Sequence, residues 1–136
     1  MKITYEVLGD DFTRAGEASG KFKKVLKQVG FDAEVIRRVT IAMYEAEINM
    51  VIHAHGGVID AEITTEKIEL WFRDKGPGIP NVELAMKEGY STAPDNVRSL
   101  GFGAGMGLPN IKKYTDELKI DTEIGVGTTV YIAVNI

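Results

Sequence analysis

Apolar and polar residues alternate from Lys2 to Val7, and positions 2–8 are predicted to form a strand. From about Phe12 to Val29 the period changes: Ala15, Phe22, Val25, Leu26 and Val29 recur at helical spacing, with Asp11 the expected N-cap and Gly30 at the stop. A second helix is expected from Asp32 to about His53. Two strands follow, near 58–64 and 67–74, joined by a tight polar turn. A short helix is expected over 81–88. Past a glycine-rich stretch, a helix should run from about Leu108 to Glu117. Strands near 118–124 and 128–135 then flank Gly125-Val126-Gly127. Paired strands with helices grouped between them predict an α/β (α+β) domain, a mixed, mostly antiparallel sheet with helices on one face. The strands do not alternate strictly with helices, so a doubly wound parallel sheet is not expected.

The second helix is apolar around most of its circumference. Ile36, Val39, Met43, Ala46 and Met50 form one stripe, and Ile41, Ile48 and Ile52 lie on another side that also holds Glu45 and Asn49. Those two polar residues are four apart and project from one face. Glu47 is rotated about 160° from Glu45 and cannot pair with it. A carboxylate and a carboxamide amid isoleucines need partners. They form either a hydrogen-bonded core pair, or a site in which Asn49 offers oxygen to a hard cation and Glu45 orients or deprotonates a nucleophile. His53, one turn on, reads as a structural or capping group.

In the strand ending Ile68-Glu69-Leu70-Trp71-Phe72-Arg73-Asp74, Ile68, Leu70 and Phe72 mark the core face, so Asp74 points inward. It is followed at once by Lys75-Gly76-Pro77-Gly78-Ile79-Pro80. Asp74 either accepts a hydrogen bond from a buried ligand donor or binds main-chain amides of the turn. Thr128 shares the inward parity of Val130, Ile132 and Val134, so its hydroxyl could meet Asp74.

Leu100-Gly101-Phe102-Gly103-Ala104-Gly105-Met106-Gly107-Leu108-Pro109 alternates glycine into a helix start, where Pro109 suits the first turn. Free N–H groups and the positive helix end make a ready anion site, with phosphate the usual guest. No Gly-Lys-Ser/Thr closes the loop, so it is not a Walker A motif, and its spacing is not the dinucleotide fingerprint. The irregular stretch before it, with Ser91, Thr92 and Arg98, has the length of a lid.

Composition narrows the class. The 136 residues suit one domain; 44% are hydrophobic and 26% charged, which is wrong for a disordered chain. Lys plus Arg (16) against Asp plus Glu (20) leaves a net charge of −4, against a nucleic-acid binder. There is no cysteine, so no disulfide framework and no thiol chemistry. No apolar run approaches a membrane span and no signal segment opens the chain, so a cytoplasmic protein without a membrane partner is expected.

Taken in order, the blocks Glu45-x-x-x-Asn49, Asp74-x-Gly76-x-Gly78-Ile79, Gly103-x-Gly105-x-Gly107-Leu108 and Gly127-Thr128-Thr129 resemble the N box, G1 box, G2 box and final threonine of the gyrase, Hsp90, histidine kinase and MutL (GHKL) superfamily. The resemblance covers nearly the whole chain. It implies a single Bergerat-fold domain over 1–136, a two-layer α/β sandwich with an ATP lid at about 80–106. A stand-alone domain of this kind resembles the bacterial anti-sigma factors and serine/threonine switch kinases of partner-switching pathways. Asp74-Lys-Gly-Pro-Gly-Ile-Pro, Met86-Lys-Glu-Gly-Tyr-Ser-Thr92 and Gly103-Ala-Gly-Met-Gly-Leu-Pro109 are most similar to RsbT-type switch kinases. Gly103-Ala104 stands where sporulation-type anti-sigma factors tend to carry arginine.

Carried over, the resemblance implies ATP and Mg²⁺ as cofactors. Asp74 would receive the adenine amino group, supported by Thr128 through water. Gly76, Gly78 and Ile79 would shape the base pocket, and Gly103, Gly105, Gly107 and Leu108 the phosphate loop. Asn49 would ligate Mg²⁺ and Glu45 would act as general base. The implied partner is a STAS-domain substrate; the rival is a sigma factor held by a nucleotide-gated binding module. A homodimer is left open. Val-Ala-Ile-Lys, His-Arg-Asp and Asp-Phe-Gly are absent, which excludes the eukaryotic kinase design.

Overall fold

The structure, a computed structural model, describes residues 1–9, 13–54, 56–79 and 107–136 and the single positions Val82 and Met86. The alternating segment at the start forms β1 (Lys2–Leu8); the helical patterns form α1 (Glu17–Val29) and α2 (Ala33–His53). A hairpin follows, β2 (Gly56–Ile63) and β3 (Lys67–Asp74), then α3 (Gly107–Tyr114) and a second hairpin, β4 (Glu117–Glu123) and β5 (Gly127–Asn135). The sheet order is β1-β2-β3-β5-β4, and every neighbouring pair is antiparallel. The expectation of a mixed sheet is thus resolved as fully antiparallel. Among the described residues three helices cover one face.

Side-chain parity explains the two layers. Val7, Ile59, Ala61, Ile68, Leu70, Phe72, Ile132 and Val134 point into the core, where they meet Phe22 and Leu26 of α1 and Val39, Met43, Met50 and Val51 of α2. The opposite face carries Trp71 against Tyr131, ring centres 5.3 Å apart, amid charged neighbours. α2 is buried as its pattern requires, Ile48 on its second side included, while Ile41 and Ile52 are half-buried.

Two boundaries differ from expectation. α1 begins at Glu17, not near Phe12, and Asp11 lies outside the described residues. Its cap is Gly16, at φ 90°, and the first-turn donors are met from another helix. Glu47, 2% exposed, accepts the N–H of Gly16, Ala18 and Ser19 at 3.1, 3.1 and 2.9 Å and the Ser19 hydroxyl at 2.6 Å. A carboxylate at a helix N-terminus is where orphan donors and the helix dipole favour it. α3 stops at Tyr114, three residues short of Glu117, which already pairs with Ala133 in the sheet. Of the helix expected over 81–88 only Val82 and Met86 are described; the Met86 N–H donates to the Val82 carbonyl at 3.0 Å.

Candidate functional site

Antiparallel register sets Asp74, the last residue of β3, opposite Thr128 on β5. Asp74 Oδ1 accepts the N–H of Gly76 at 2.9 Å and of Thr128 at 3.2 Å. One carboxylate oxygen therefore does the turn's structural work. The turn-binding reading of Asp74 holds for Oδ1, while Oδ2 has no hydrogen-bond partner among the described residues and is open to a ligand donor. The expected hydroxyl contact with Thr128 is a main-chain contact instead. The Thr128 hydroxyl lies 2.8 Å from that of Thr122 on β4, whose oxygen also takes the Ile79 N–H at 2.8 Å.

The loop after β3 is held close on both sides. A Cβ on Gly76 would come within 2.7 Å of Ala54 Cα, at the end of α2. Gly78 sits at φ 83°, and its Cβ would meet the Glu123 carbonyl oxygen at 2.7 Å. Only glycine combines that dihedral with that approach. The loop thus runs between the C-terminal end of α2 and the β4–β5 turn, where the Gly125 N–H donates to the Pro77 carbonyl at 2.9 Å.

Further back along the same helix, Glu45 Oε1 accepts a hydrogen bond from Asn110 Nδ2 at 3.4 Å. Asn110 lies in the first turn of α3, the helix that Gly107 opens. Ala54 is nine residues beyond Glu45, roughly 13 Å along the helix. Asn49 stands between, half-buried, and its carboxamide makes no hydrogen bond among the described residues. The fold therefore joins Asp74, Gly76, Gly78, Ile79 and Thr128 at the end of β3 and the start of β5, next to the C-terminal end of α2, and Glu45 to the start of α3 that Gly107 opens, with Asn49 on the stretch of α2 between them.

Leu108 is a core residue: its side chain is buried with Ile111, so any contact with a phosphate would come from its main chain. Gly103, Gly105, the lid at 80–106 apart from Val82 and Met86, and Arg98, Ser91 and Thr92 within it lie outside the described residues.

Two residues of the site do not emerge from the motifs. Thr122 shares the inward parity of Leu118 and Ile120, and a hairpin centred on Gly125 puts it opposite Thr128, so its position is readable from the sequence. Asn110 carries no such signal.

The site can be tested for the groups the motifs imply. Among the described residues no three acidic or histidine side chains gather into a metal cluster. A single open oxygen donor, Asn49, suits Mg²⁺, which takes one or two protein ligands and completes its shell with waters and substrate phosphates. The unpartnered Asp74 Oδ2 at the far end suits a ligand amino group.

The chain matches the histidine kinase-like ATPase domain model over residues 10–134, and it belongs to that GHKL-type family. It is 30% identical over 112 residues to the serine/threonine-protein kinase RsbT of Bacillus subtilis (strain 168), covering 79% of this chain and 78% of that one. It is 39% identical to an anti-sigma F factor of Clostridium beijerinckii, covering 71% and 68%, and 37% identical to one of Halalkalibacterium halodurans, covering 97% and 89%. Among solved structures, the RsbU and RsbW domains of Rv1364c from Mycobacterium tuberculosis superpose with a TM-score of 0.66 at 16% identity, over 98% of this chain and 32% of that one. The mycobacterial sensor histidine kinase MprB gives 0.55 at 17%, over 99% and 97%. These two likenesses establish the shared fold. The relatives divide between kinase and anti-sigma names, and no helix among the described residues is long and apolar enough to cross a membrane.

Proposed function

We propose that this chain is an ATP-dependent, Mg²⁺-requiring protein serine/threonine kinase of a cytoplasmic partner-switching pathway, acting on a STAS-domain protein. The observation that carries the reading is the placement of Glu45. It shares a helix face with the open amide of Asn49 and is hydrogen-bonded to Asn110 of α3, the helix that the glycine-rich segment feeds. Asp74 Oδ2 and the loop Gly76–Ile79 receive the adenine end. The N–H groups at the start of α3, with Gly103 and Gly105 before it, receive the phosphates. Asn49 is the protein ligand of the metal, and bound Mg²⁺ supplies charge neutralisation on the β- and γ-phosphates. Glu45 takes the proton of the acceptor hydroxyl as its oxygen bonds to the γ-phosphorus and the bond to the ADP oxygen breaks. Little else is asked of the chain, because such transfer is mostly positioning.

The test is incubation with labelled ATP, Mg²⁺ and STAS proteins encoded in the same genome. Label on a serine or threonine of one of them, lost in Glu45→Ala, supports the kinase. Nucleotide binding without transfer to any of them points to the second reading, an anti-sigma factor or nucleotide-gated adaptor. That reading is favoured by the anti-sigma names of relatives matching over nearly the whole chain. Co-purification of a sigma factor would decide for it.

A further inference from the structure

The hydroxyl pair on the last two strands can be polarised in either direction, and its neighbours are unequal. Thr122 Oγ1 receives the Ile79 N–H at 2.8 Å and lies 2.8 Å from Thr128 Oγ1. Its other neighbour, the Gly127 carbonyl oxygen, is 3.5 Å away, outside the roughly 2.5–3.0 Å range of O–H···O bonds. A threonine has one hydrogen to donate. When the Thr122 hydrogen takes the short contact rather than the long one, Thr128 Oγ1 accepts it. The Thr128 hydrogen then points elsewhere, and no described residue receives it. Thr128 is 7% exposed, and its main-chain N–H is fixed on Asp74 Oδ1. In that arrangement a buried donor without a partner among the described residues sits beside a carboxylate whose second oxygen has none among them either.

We propose that Thr122 is a positioning residue for base selection: it sets the Thr128 hydroxyl as a donor and holds Ile79 in the pocket wall. The inference deepens the nucleotide reading above and rests on it. The site then offers an acceptor, Asp74 Oδ2, beside a donor, Thr128 O–H. That pair complements an amidine edge, an amino group next to a ring-nitrogen acceptor, as adenine carries. The guanine edge is the reverse, an oxo acceptor beside an N–H donor, and meets like with like at both positions. Mismatches of this kind discriminate strongly because buried polar groups are left unpaired.

The experiment is calorimetric binding of ATP, GTP and 1-deaza-ATP, whose ring nitrogen is replaced by C–H, to the wild-type chain and to Thr122→Val, Thr122→Ala and Thr122→Ser. With valine or alanine, ATP affinity should fall about tenfold, the effect of losing one or two buried hydrogen bonds. The ATP-to-GTP ratio should narrow, because the freed Thr128 hydroxyl can turn and accept. The loss on removing the ring nitrogen should shrink in the same variants, and serine should restore wild-type behaviour. Alanine adds no bulk and repeats the removal if valine disturbs folding. Wild-type ratios among the three nucleotides in a folded valine or alanine variant overturn the proposal, as does a serine variant that behaves like valine. In either case a fall in ATP affinity of about a hundredfold or more in Asp74→Asn leaves the nucleotide reading standing. A wild-type chain that binds no ATP removes both.

Discussion

Ser19 gives both its main-chain N–H and its hydroxyl to a single oxygen of Glu47, at 2.9 and 2.6 Å. The other oxygen of Glu47 takes the N–H groups of Gly16 and Ala18. A side chain in the middle of α2 therefore does what an N-cap does for α1, from 28 to 31 residues away.

Glu47→Ala should be among the most damaging single changes in the chain. It strips four hydrogen bonds to a charged acceptor and leaves buried donors unpaired, so a loss of about 3 kcal/mol or more is expected. Urea unfolding measures it. Glu47→Gln keeps the shape and part of the acceptance and should lie between the two. In a folded Glu47→Gln, nucleotide affinity should stay within about twofold of wild type, because Glu47 and Asn49 face different sides of the helix.

Asp74→Asn separates the two jobs of one side chain. The amide oxygen can replace Oδ1 as acceptor for Gly76 and Thr128, which leaves an NH₂ where Oδ2 stood. A donor then faces the donor of the adenine amino group. ATP affinity should fall about a hundredfold or more, while the melting temperature moves by only a few degrees. A large fall in melting temperature with ATP affinity intact would return Asp74 to a turn-forming role alone.

The acidic residues show what pattern can and cannot reveal. Asp74 is legible because strand parity is local: three apolar residues at alternate positions fix the direction of the fourth. Glu45 and Asn49 are legible for the same reason at helical spacing. The role of Glu47 is not, because its partners sit on another helix and nothing near it in sequence announces them. The start of α1 is displaced from its expected place for the same reason: Asp11 upstream has the chemistry of a cap, but the carboxylate that caps the helix comes from downstream. Thr122 becomes legible once the parity applied to β5 is applied to β4. Asn110 meets Glu45 only through the packing of α3 on α2, which no local pattern encodes.

Asn110→Ala should leave ATP binding within about twofold and lower the rate of phosphoryl transfer by about three- to tenfold. The hydrogen bond to Glu45 is long at 3.4 Å and orients the carboxylate without making it reactive, so its removal is milder than loss of the base, for which about 10²–10⁴-fold is ordinary. Steady-state kinetics on a phosphorylated partner measures both. If Asn110→Ala equals Glu45→Ala, Asn110 contacts the reacting groups itself.

Acid should weaken the fold in two stages. Burial holds the His53 imidazole below its ordinary 6.5. The unfolded chain then takes up a proton before the native one, so stability is full above about pH 6.5 and declines as pH falls below it. Asp116 is held below 3.8, chiefly by the Asn135 N–H at 2.7 Å and also by Arg38. Its contribution is present above that value and is lost as pH falls through the lower native pKa. Melting curves from pH 8 to 3 on His53→Gln should lack the upper decline and keep the lower one. An unchanged profile would mean that His53 titrates alike in both states.

Gly76→Ala tests the junction that joins the long helix to the base loop. The added methyl would lie 2.7 Å from Ala54 Cα, 2.9 Å from Ala54 Cβ and 3.2 Å from Asp74 Oδ1. The first of these is main chain and cannot rotate away, so the loop and the end of α2 must part. Overpacking of this kind typically loses about 1–3 kcal/mol. The displacement falls on the residue whose N–H holds Asp74, so ATP affinity should drop at least tenfold even where the variant is fully folded. Ala54→Gly in the same chain relieves the clash between the two methyl groups but leaves the clash with the helix main chain, and should restore part of both losses. If the double variant binds no better than Gly76→Ala alone, the contact between the two methyl groups is not what makes glycine necessary at position 76, and the clash with the position-54 Cα and the crowding against Asp74 Oδ1 are left as the cause.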